Sequence, residues 1–355
     1  MQLHRRLCKL REILKGKNLD AAIIYKPENR RYMSGFTGTS GYALITMHEA
    51  FFITDFRYVD QAKEQCKEYE IIKHTNERSI YSIINELNLS NLGFEEDFIT
   101  YHQYMEFSKK LDHIELILLD GVISSLRKIK YEEEINYIKQ AANIADEAFL
   151  HICNYMRPGI TEKDVALELE TFMKKEGASS TSFDTIVASG IRSSLPHGVA
   201  SNKLLEKGDF VTLDFGCIYN GYCSDMTRTI VLGKANDQQK EIYHIVLEAQ
   251  QKALQCIKPG ITGMEADKIA RDMIIARGYG ENFGHGLGHG VGLEIHEEPS
   301  LSPIGKEILQ VGMIVTDEPG IYIPDFGGVR IEDLLMITES GNKVLSKSPK
   351  NLIEI

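Results

Sequence analysis

Residues 157–179 read RPGITEKDVALELETFMKKEGAS, and the same pattern returns at residues 258–280 as KPGITGMEADKIARDMIIARGYG. In each copy a basic residue and Pro-Gly precede a threonine, Thr161 or Thr262, which an acidic residue follows three positions later. That spacing is typical of a capping box or a close variant, so each copy predicts the start of a helix. The matched stretches lie 101 residues apart.

Farther along the chain, each copy contains a second matched segment. Residues 205–216, LEKGDFVTLDFG, correspond to residues 309–320, LQVGMIVTDEPG, with leucine, glycine, valine, threonine and the final glycine in register. A helical pattern also precedes each Pro-Gly. Several matches in one order indicate an internal repeat, so residues 125–355 are predicted to form two copies of one helix-plus-sheet unit that face each other.

The amino-terminal third has a different pattern, in which helical and strand periodicities alternate. Leu3, Leu7, Leu10 and Leu14 recur at helical spacing, and the short apolar run Ala21 to Tyr25 is typical of a strand. Further alternation of this kind continues to about Gly121. Residues 1–124 are therefore predicted to form a separate α/β domain in front of the duplicated α+β domain.

Composition limits the possible partners. The 355 residues are 43% hydrophobic and 26% charged, with a net charge of −11 that disfavours nucleic acid as a partner. The amino terminus lacks the apolar run of a signal peptide, and no stretch approaches the ~20 apolar residues of a membrane helix. Six scattered cysteines without a C-x-x-C pair favour a reduced, cytoplasmic chain, and the lack of a long apolar stretch leads us to expect no membrane partner.

Four carboxylates occupy related places in the two copies. The repeat aligns Asp214 with Glu318, and a second carboxylate lies downstream in each copy, at Asp225 and Glu332. Equivalent strands of a duplicated unit converge where the copies meet, so these groups are expected to share one site. Like charges at close range raise one another's pKa, and bound cations are the simplest counter-charge.

A glycine-rich run supplies histidines. Residues 283–299 read FGHGLGHGVGLEIHEEP, with His285, His289 and His296 among five interior glycines. Glycine is unfavourable in a helix, so a strand is expected in which His285 and His289 share a face. The run matches neither the dinucleotide fingerprint nor the zincin motif.

His289 would add one nitrogen to the four carboxylates. Oxygen ligands with one imidazole suit Mn, Co, Zn or Fe, and two such cations ~3.5 to 4 Å apart activate water and polarise a carbonyl. Taken singly, Asp225 could cap a turn and Glu332 could be a surface charge. Asp317 should point to the face of its strand opposite Glu318 and is not expected to be a ligand.

Four motifs resemble the dinuclear "pita-bread" metallopeptidases, the family that contains aminopeptidase P, prolidase and methionine aminopeptidase. They are LDFGCIYNGYCSDMTRT, GHGLGHGVGLEIHEEP, TDEPGIYIP and GGVRIED. By family pattern the metal ligands fall on Asp214, Asp225, His289, Glu318 and Glu332.

The same resemblance implies the mechanism. A hydroxide bridging two divalent metals attacks the scissile carbonyl, with Glu318 as proton shuttle. His197 in SSLPHGV, His285 and His296 match active-site histidines that bind substrate and stabilise the tetrahedral intermediate. Arg330 resembles an arginine that proline-directed members place beside the site. The alternative role for Arg330 is structural, as the partner of a salt bridge to Asp325 or Glu332.

The first domain resembles the creatinase/prolidase amino-terminal domain, and RYMSGFTGTSGYALIT and FFITDFRYVDQA look most like aminopeptidase P. The expectation is an Xaa-Pro aminopeptidase that removes the residue before a penultimate proline, with two divalent metals, Mn preferred, as a homodimer or larger homo-oligomer. Prolidase, which cleaves Xaa-Pro dipeptides, is the alternative, followed by an inactive peptide-binding relative. Creatinase shares this fold but lacks the metal ligands, so the presence of all five here argues against it. A Rossmann oxidoreductase is disfavoured because the sequence has no dinucleotide fingerprint.

Overall fold

The computed structural model describes residues 2–355, which divide into two compact units. The first unit ends at Arg127 and the second begins at Lys128.

The first unit is an α/β domain around one mixed six-stranded sheet. Its helices are α1 Gln2–Gly16, α2 Pro27–Ser34, α3 Val59–Gln65, α4 Ile80–Asn85, α5 Tyr101–Lys110 and α6 Val122–Lys128, the last of which runs one residue into the second unit. Its strands are β1 Ala21–Ile24, β2 Tyr42–Thr46, β3 Ala50–Thr54, β4 Glu70–Lys73, β5 Asn91–Phe94 and β6 Glu115–Leu118, in the order β4-β3-β2-β1-β5-β6.

The predicted alternation of helices and strands is confirmed in this unit. The leucines of α1 at positions 7, 10 and 14 are buried, as their spacing requires. The helix α2 is an addition to the predicted elements. It begins at Pro27, whose ring suits the first helical position, and ends before Gly35 at φ +79°, a left-handed conformation that glycine adopts freely.

The second unit contains the duplication. Its helices are α7 Glu132–Tyr155, α8 Glu162–Lys175, α9 Asp237–Cys256 and α10 Gly263–Ala276. Its strands are β7 Ser180–Thr181, β8 Ile186–Ser189, β9 Phe210–Phe215, β10 Cys217–Tyr219, β11 Tyr222–Cys223, β12 Met226–Val231, β13 Gly288–Gly290, β14 Glu297–Leu301, β15 Ile314–Asp317, β16 Gly320–Ile323, β17 Gly327–Arg330, β18 Asp333–Thr338 and β19 Gly341–Val344.

These strands form equivalent groups in the two copies. The first copy has the sheets β12-β9-β8 and β11-β10-β7, and the second has β14-β13-β15-β18-β19 and β16-β17. Each copy places a pair of helices on its strands. One hydrophobic core contains side chains of α7, α8 and β9, and another contains those of α9, α10 and β15. The two copies therefore have a core each.

Backbone hydrogen bonds repeat from copy to copy. Gly159 donates its N–H to Leu205 O at 2.9 Å, and Gly260 donates to Leu309 O at 2.9 Å. Both glycines have nearly the same φ, +91° and +93°. Both predicted capping boxes are present, at Thr161 before α8 and at Thr262 before α10. The predicted internal duplication is thereby confirmed.

None of the helices within residues 2–355 is long and apolar enough to cross a membrane. The cysteines at 8, 66, 153, 217, 223 and 256 are free thiols.

Candidate metal centre

Antiparallel strand pairs bring the four carboxylates to one place. Asp214 lies on β9 opposite Thr227 of β12, and Asp225 directly precedes β12. In the second copy Glu318 directly follows β15 and Glu332 directly precedes its partner β18. The Glu332 N–H donates to Thr227 O at 3.1 Å, which joins the strands of one copy to those of the other. The carboxylates of both copies therefore meet where the copies are joined.

The glycine-rich run forms a shorter strand than its sequence predicts. Within this run Gly288–Gly290 forms β13 and Glu297 begins β14, whereas His285 lies before both strands. A Cβ atom on Gly288 would lie 2.2 Å from Thr316 O, so glycine is needed for the close approach of β15. This approach lets the His289 N–H donate to Thr316 Oγ1 at 3.0 Å. That hydroxyl in turn donates to Glu318 Oε1 at 3.0 Å, so Thr316 fixes two of the predicted ligands.

The imidazole of His289 lies among the carboxylates. Its Nε2 is 3.5 Å from Asp225 Oδ2 and 3.4 Å from Glu318 Oε1. Its Nδ1 lies 3.0 Å from the carbonyl oxygen of Gly290, and this contact requires a proton on Nδ1. Nε2 is then left as a lone pair that faces the carboxylates, as a metal ligand requires.

Burial makes these carboxylates costly without a cation. Burial, followed by the charges of Glu332 and Asp214, raises the pKa of the Asp225 carboxyl well above its usual range. Burial and the charges of Glu318 and Asp214 likewise raise the pKa of Glu332. Burial is the main cause that raises the pKa of Glu318 to about 7. Burial also lowers the pKa of His289, which keeps its ring neutral.

The donor set fits divalent metal ions. Within residues 2–355, one ligand atom each from Asp225, His289 and Glu332 lie within 4.8 Å of one another. In that part of the chain Asp214 Oδ1 and Glu332 Oε1 are buried and have no hydrogen-bond partner. Buried carboxylate oxygens without donors are unfavourable, and a cation would satisfy both. Four carboxylates with one neutral imidazole form an oxygen-rich set that suits a hard or borderline divalent metal.

Arg330 organises the edge of this centre. Its Nη2 donates to Asp214 Oδ2 at 2.5 Å, and its Nε donates to Thr227 Oγ1 at 3.0 Å. Its Nη1 donates to Tyr322 Oη at 2.7 Å and to Pro196 O at 3.3 Å. The salt bridge of Arg330 is thus with Asp214, and neither Asp325 nor Glu332 takes that place.

Tyr322 extends this chain of hydrogen bonds to His285. The hydroxyl of Tyr322 lies 2.8 Å from His285 Nε2, and His285 Nδ1 lies 2.8 Å from Gly286 O. Burial is the main cause that lowers the pKa of His285 to about 4, so the ring is neutral with its proton on Nδ1. Tyr322 then donates to Nε2, and burial raises the pKa of Tyr322 to about 12. Both nitrogens of His285 are engaged by the protein.

The centre opens into a cavity of about 430 Å³. His197 and His296 line it, and the ring of His296 packs edge-on against His289 with centroids 4.4 Å apart. The cavity also has apolar walls. It is lined by Phe183, Asp184, Ile186, Pro196, His197, Val199, Asp214, Asp225, His285, Gly286, Gly288, His289, Ile295, His296, Ser300, Ser302, Glu318, Arg330 and Glu332. All nine residues singled out from the sequence are among these.

Two further acidic residues near the ligands do not line the cavity. Asp317 and Asp333 pair across β15 and β18, and both are fully buried. Asp333 accepts from Arg228 Nη2 at 2.8 Å and from Lys350 Nζ at 2.5 Å. These residues therefore belong to the packing behind the strands.

Sequence reasoning did not find the residues that orient the ligands. Thr227 donates to Glu332 Oε2 at 2.7 Å, and Thr316 and Tyr322 act as described above. Each threonine stands two positions from a predicted ligand, a spacing that puts both side chains on one face of an extended chain, and this spacing was the available signal. Tyr322 offered no comparable signal, because its contact with Arg330 crosses between two strands.

Comparisons with known proteins agree with this geometry. A family model described as metallopeptidase family M24 matches residues 136–339, and one described as the creatinase/prolidase N-terminal domain matches residues 6–129. An Xaa-Pro dipeptidase of Pyrococcus furiosus is 45% identical over 353 residues, which cover 99% of this chain and 100% of that protein.

Solved structures are similar over the whole length. The Xaa-Pro dipeptidase from Bacillus anthracis is 51% identical, covers 99% of this chain and 100% of its own, and has a TM-score of 0.97. The X-Pro aminopeptidase from Thermotoga maritima is 39% identical, covers 95% and 98%, and has a TM-score of 0.90. The chain therefore belongs to metallopeptidase family M24 and carries the creatinase/prolidase N-terminal domain ahead of its peptidase domain.

Proposed function

We propose that this protein is an Xaa-Pro dipeptidase. The supporting observation is its similarity, over nearly the full length of both chains, to proteins named Xaa-Pro dipeptidase at 45% and 51% identity. The aminopeptidase expected from the sequence has weaker support, because the X-Pro aminopeptidase structure is 39% identical. The motifs that suggested aminopeptidase P lie in the first domain, whereas the five proposed metal ligands belong to the second.

Asp214, Asp225, His289, Glu318 and Glu332 would hold two divalent cations. Bound there, the cations would activate a water molecule and polarise the scissile carbonyl. Manganese is our preferred metal, with cobalt, zinc and iron as alternatives, because four carboxylates outnumber one imidazole and thiolates are lacking among the five ligands.

The chain's own groups would handle the proton and the substrate. Glu318 lines the cavity among the other ligands and would act as the proton shuttle. His197 and His296 line the cavity and can hydrogen-bond the carbonyl oxygen or the leaving nitrogen. His285 would support Tyr322 and Arg330, because both of its ring nitrogens are already engaged.

Arg330 is better placed to hold the centre than to meet a substrate. Four of its N–H groups donate to the protein, and one of these bonds reaches Asp214. We also propose that the protein forms a homodimer or larger homo-oligomer and that it is cytoplasmic. The solution mass of the purified protein would test the oligomeric state.

Parallel digestion of an Xaa-Pro dipeptide and an Xaa-Pro-Yaa-Zaa tetrapeptide by metal-reconstituted protein tests the proposal. We expect cleavage of the dipeptide and at least ~100-fold slower cleavage of the tetrapeptide, since a dipeptidase requires a free carboxylate on the proline itself and the tetrapeptide carries its carboxylate two residues farther on. Comparable rates on both peptides would favour the aminopeptidase. Loss of both activities would favour the peptide-binding relative.

A further inference from the structure

Glu162 is a buried acidic residue that the reaction described above does not use. It is the first residue of α8 and is 0% exposed. Its Oε1 accepts from Ser189 N and Ser189 Oγ, each at 2.8 Å. Its Oε2 accepts from Ser201 N at 3.0 Å, from Ser201 Oγ at 2.7 Å and from Arg192 Nη1. One carboxylate thus receives five hydrogen bonds.

These bonds fasten both ends of one segment. We call residues 189–201 the His197 segment, because His197 lies near its middle. Ser189 and Ser201 are its first and last residues, and Arg192 also donates to Val199 O at 3.0 Å. Between these anchor points, His197 and Val199 line the cavity. The wall of the cavity on this side is therefore held through Glu162.

The duplication shows that Glu162 is not required by the helix itself. Glu162 N donates to Lys203 O at 3.0 Å, and at the equivalent place Gly263 N donates to Glu307 O at 3.0 Å. A Cβ atom on Gly263 would lie 2.0 Å from Ser300 O, so the second copy fills the space with backbone. The first copy fills it with a charged side chain. A carboxylate is thus specific to the copy that carries His197.

The position of this carboxylate also explains how the charge is tolerated. It lies at a helix amino terminus, where the helix dipole favours negative charge, and it faces the guanidinium of Arg192. A buried, fully hydrogen-bonded group of this kind holds its neighbours in one arrangement.

We propose that Glu162 is a positioning residue that fixes the His197 segment so that His197 and Val199 meet the substrate in a productive orientation. This role rests on the proposed peptidase function. Glu162 lies outside the set of metal ligands, so it should govern turnover without governing metal content.

Glu162→Gln tests this role with a minimal change in shape. The amide nitrogen cannot accept hydrogen bonds, so at least two of the five bonds are lost. We expect kcat/KM on an Xaa-Pro dipeptide to fall ~10- to 100-fold, the usual cost of misplacing a group near the reaction. Metal content should equal that of the unmodified protein. Glu168→Gln, the same change on the same helix at a side chain paired with His151, should keep normal kinetics.

A double-mutant cycle separates positioning from general damage. In a His197→Ala background, Glu162→Gln should cost less than ~3-fold in kcat/KM, because residues that act through one another are not additive. An equal loss in both backgrounds, or full activity of Glu162→Gln alone, would overturn the proposal.

Amide hydrogen exchange provides a readout that does not need catalysis. Glu162→Gln should speed exchange within residues 189–201, and Glu168→Gln should not. This comparison stands even if the unmodified protein cleaves no Xaa-Pro peptide, a result that would refute the proposed function alone. Unchanged exchange in the His197 segment would refute the positioning role. If Glu162→Gln does not fold, Ser201→Ala removes one of the five bonds and should give the same pattern at smaller amplitude.

Discussion

The hydroxyl of Thr227 is a small group whose removal should disturb the proposed metal centre. It donates to Glu332 Oε2 at 2.7 Å and accepts from Arg330 Nε at 3.0 Å. Thr227 is 0% exposed, so water cannot replace either bond. Thr227→Val keeps the volume and the β-branch of the side chain. The substitution therefore isolates the effect of the hydroxyl.

Both lost bonds involve a charged partner. Hydrogen bonds to charged groups contribute ~1.5 to 3 kcal/mol each, so the free energy of unfolding should fall by at least about 3 kcal/mol. The Glu332 carboxylate would also be free to rotate, and metal binding would have to orient it. Removing a group that orients a ligand typically weakens metal affinity ~10- to 100-fold, or about 1.4 to 2.8 kcal/mol.

Competition against a metallochromic chelator would measure the affinity, and chemical denaturation would measure the stability. Thr229→Val is a matched control on the same strand, since its hydroxyl bonds only neutral groups, Thr212 and the backbone of Arg330. The control should lose stability and keep its metal affinity. The reasoning fails if Thr227→Val binds metal as tightly as the unmodified protein.

Three further predictions concern the ligands, the strand and the thiols. Asp214→Ala should abolish turnover and lower bound metal, whereas Asp317→Asn should keep two metals per chain by elemental analysis; two metals in Asp214→Ala would contradict the ligand assignment. Gly288→Ala should lower the free energy of unfolding by more than ~2 kcal/mol, because its Cβ would lie 2.2 Å from a carbonyl oxygen, and an unchanged melting temperature would contradict this. Burial raises the pKa of Cys223 to about 12, so at pH 8 a thiol reagent should modify the exposed Cys8 first, as peptide mapping would reveal.

The architecture of the second domain follows from patterns that can be read in the amino-acid sequence. The repeat predicted two equivalent units, and the capping boxes at Thr161 and Thr262 are formed as their spacing requires. Each capping box depends on contacts between residues three apart, which a sequence displays directly. The equivalence of Asp214 and Glu318 came from the same repeat, because a duplicated strand keeps its register.

The orientation of those carboxylates, and the groups that offset their charge, depend on contacts that form when the chain folds. Arg330 bonds to Asp214, 116 residues away, and Thr227 bonds to Glu332, 105 residues away. Glu162 fastens a segment that ends at Ser201, on a part of the chain with no periodic pattern. Each of these contacts forms where separate strands and loops pack together. Which residues meet in these contacts depends on how the strands and loops pack, and neighbouring residues in the sequence do not specify that packing.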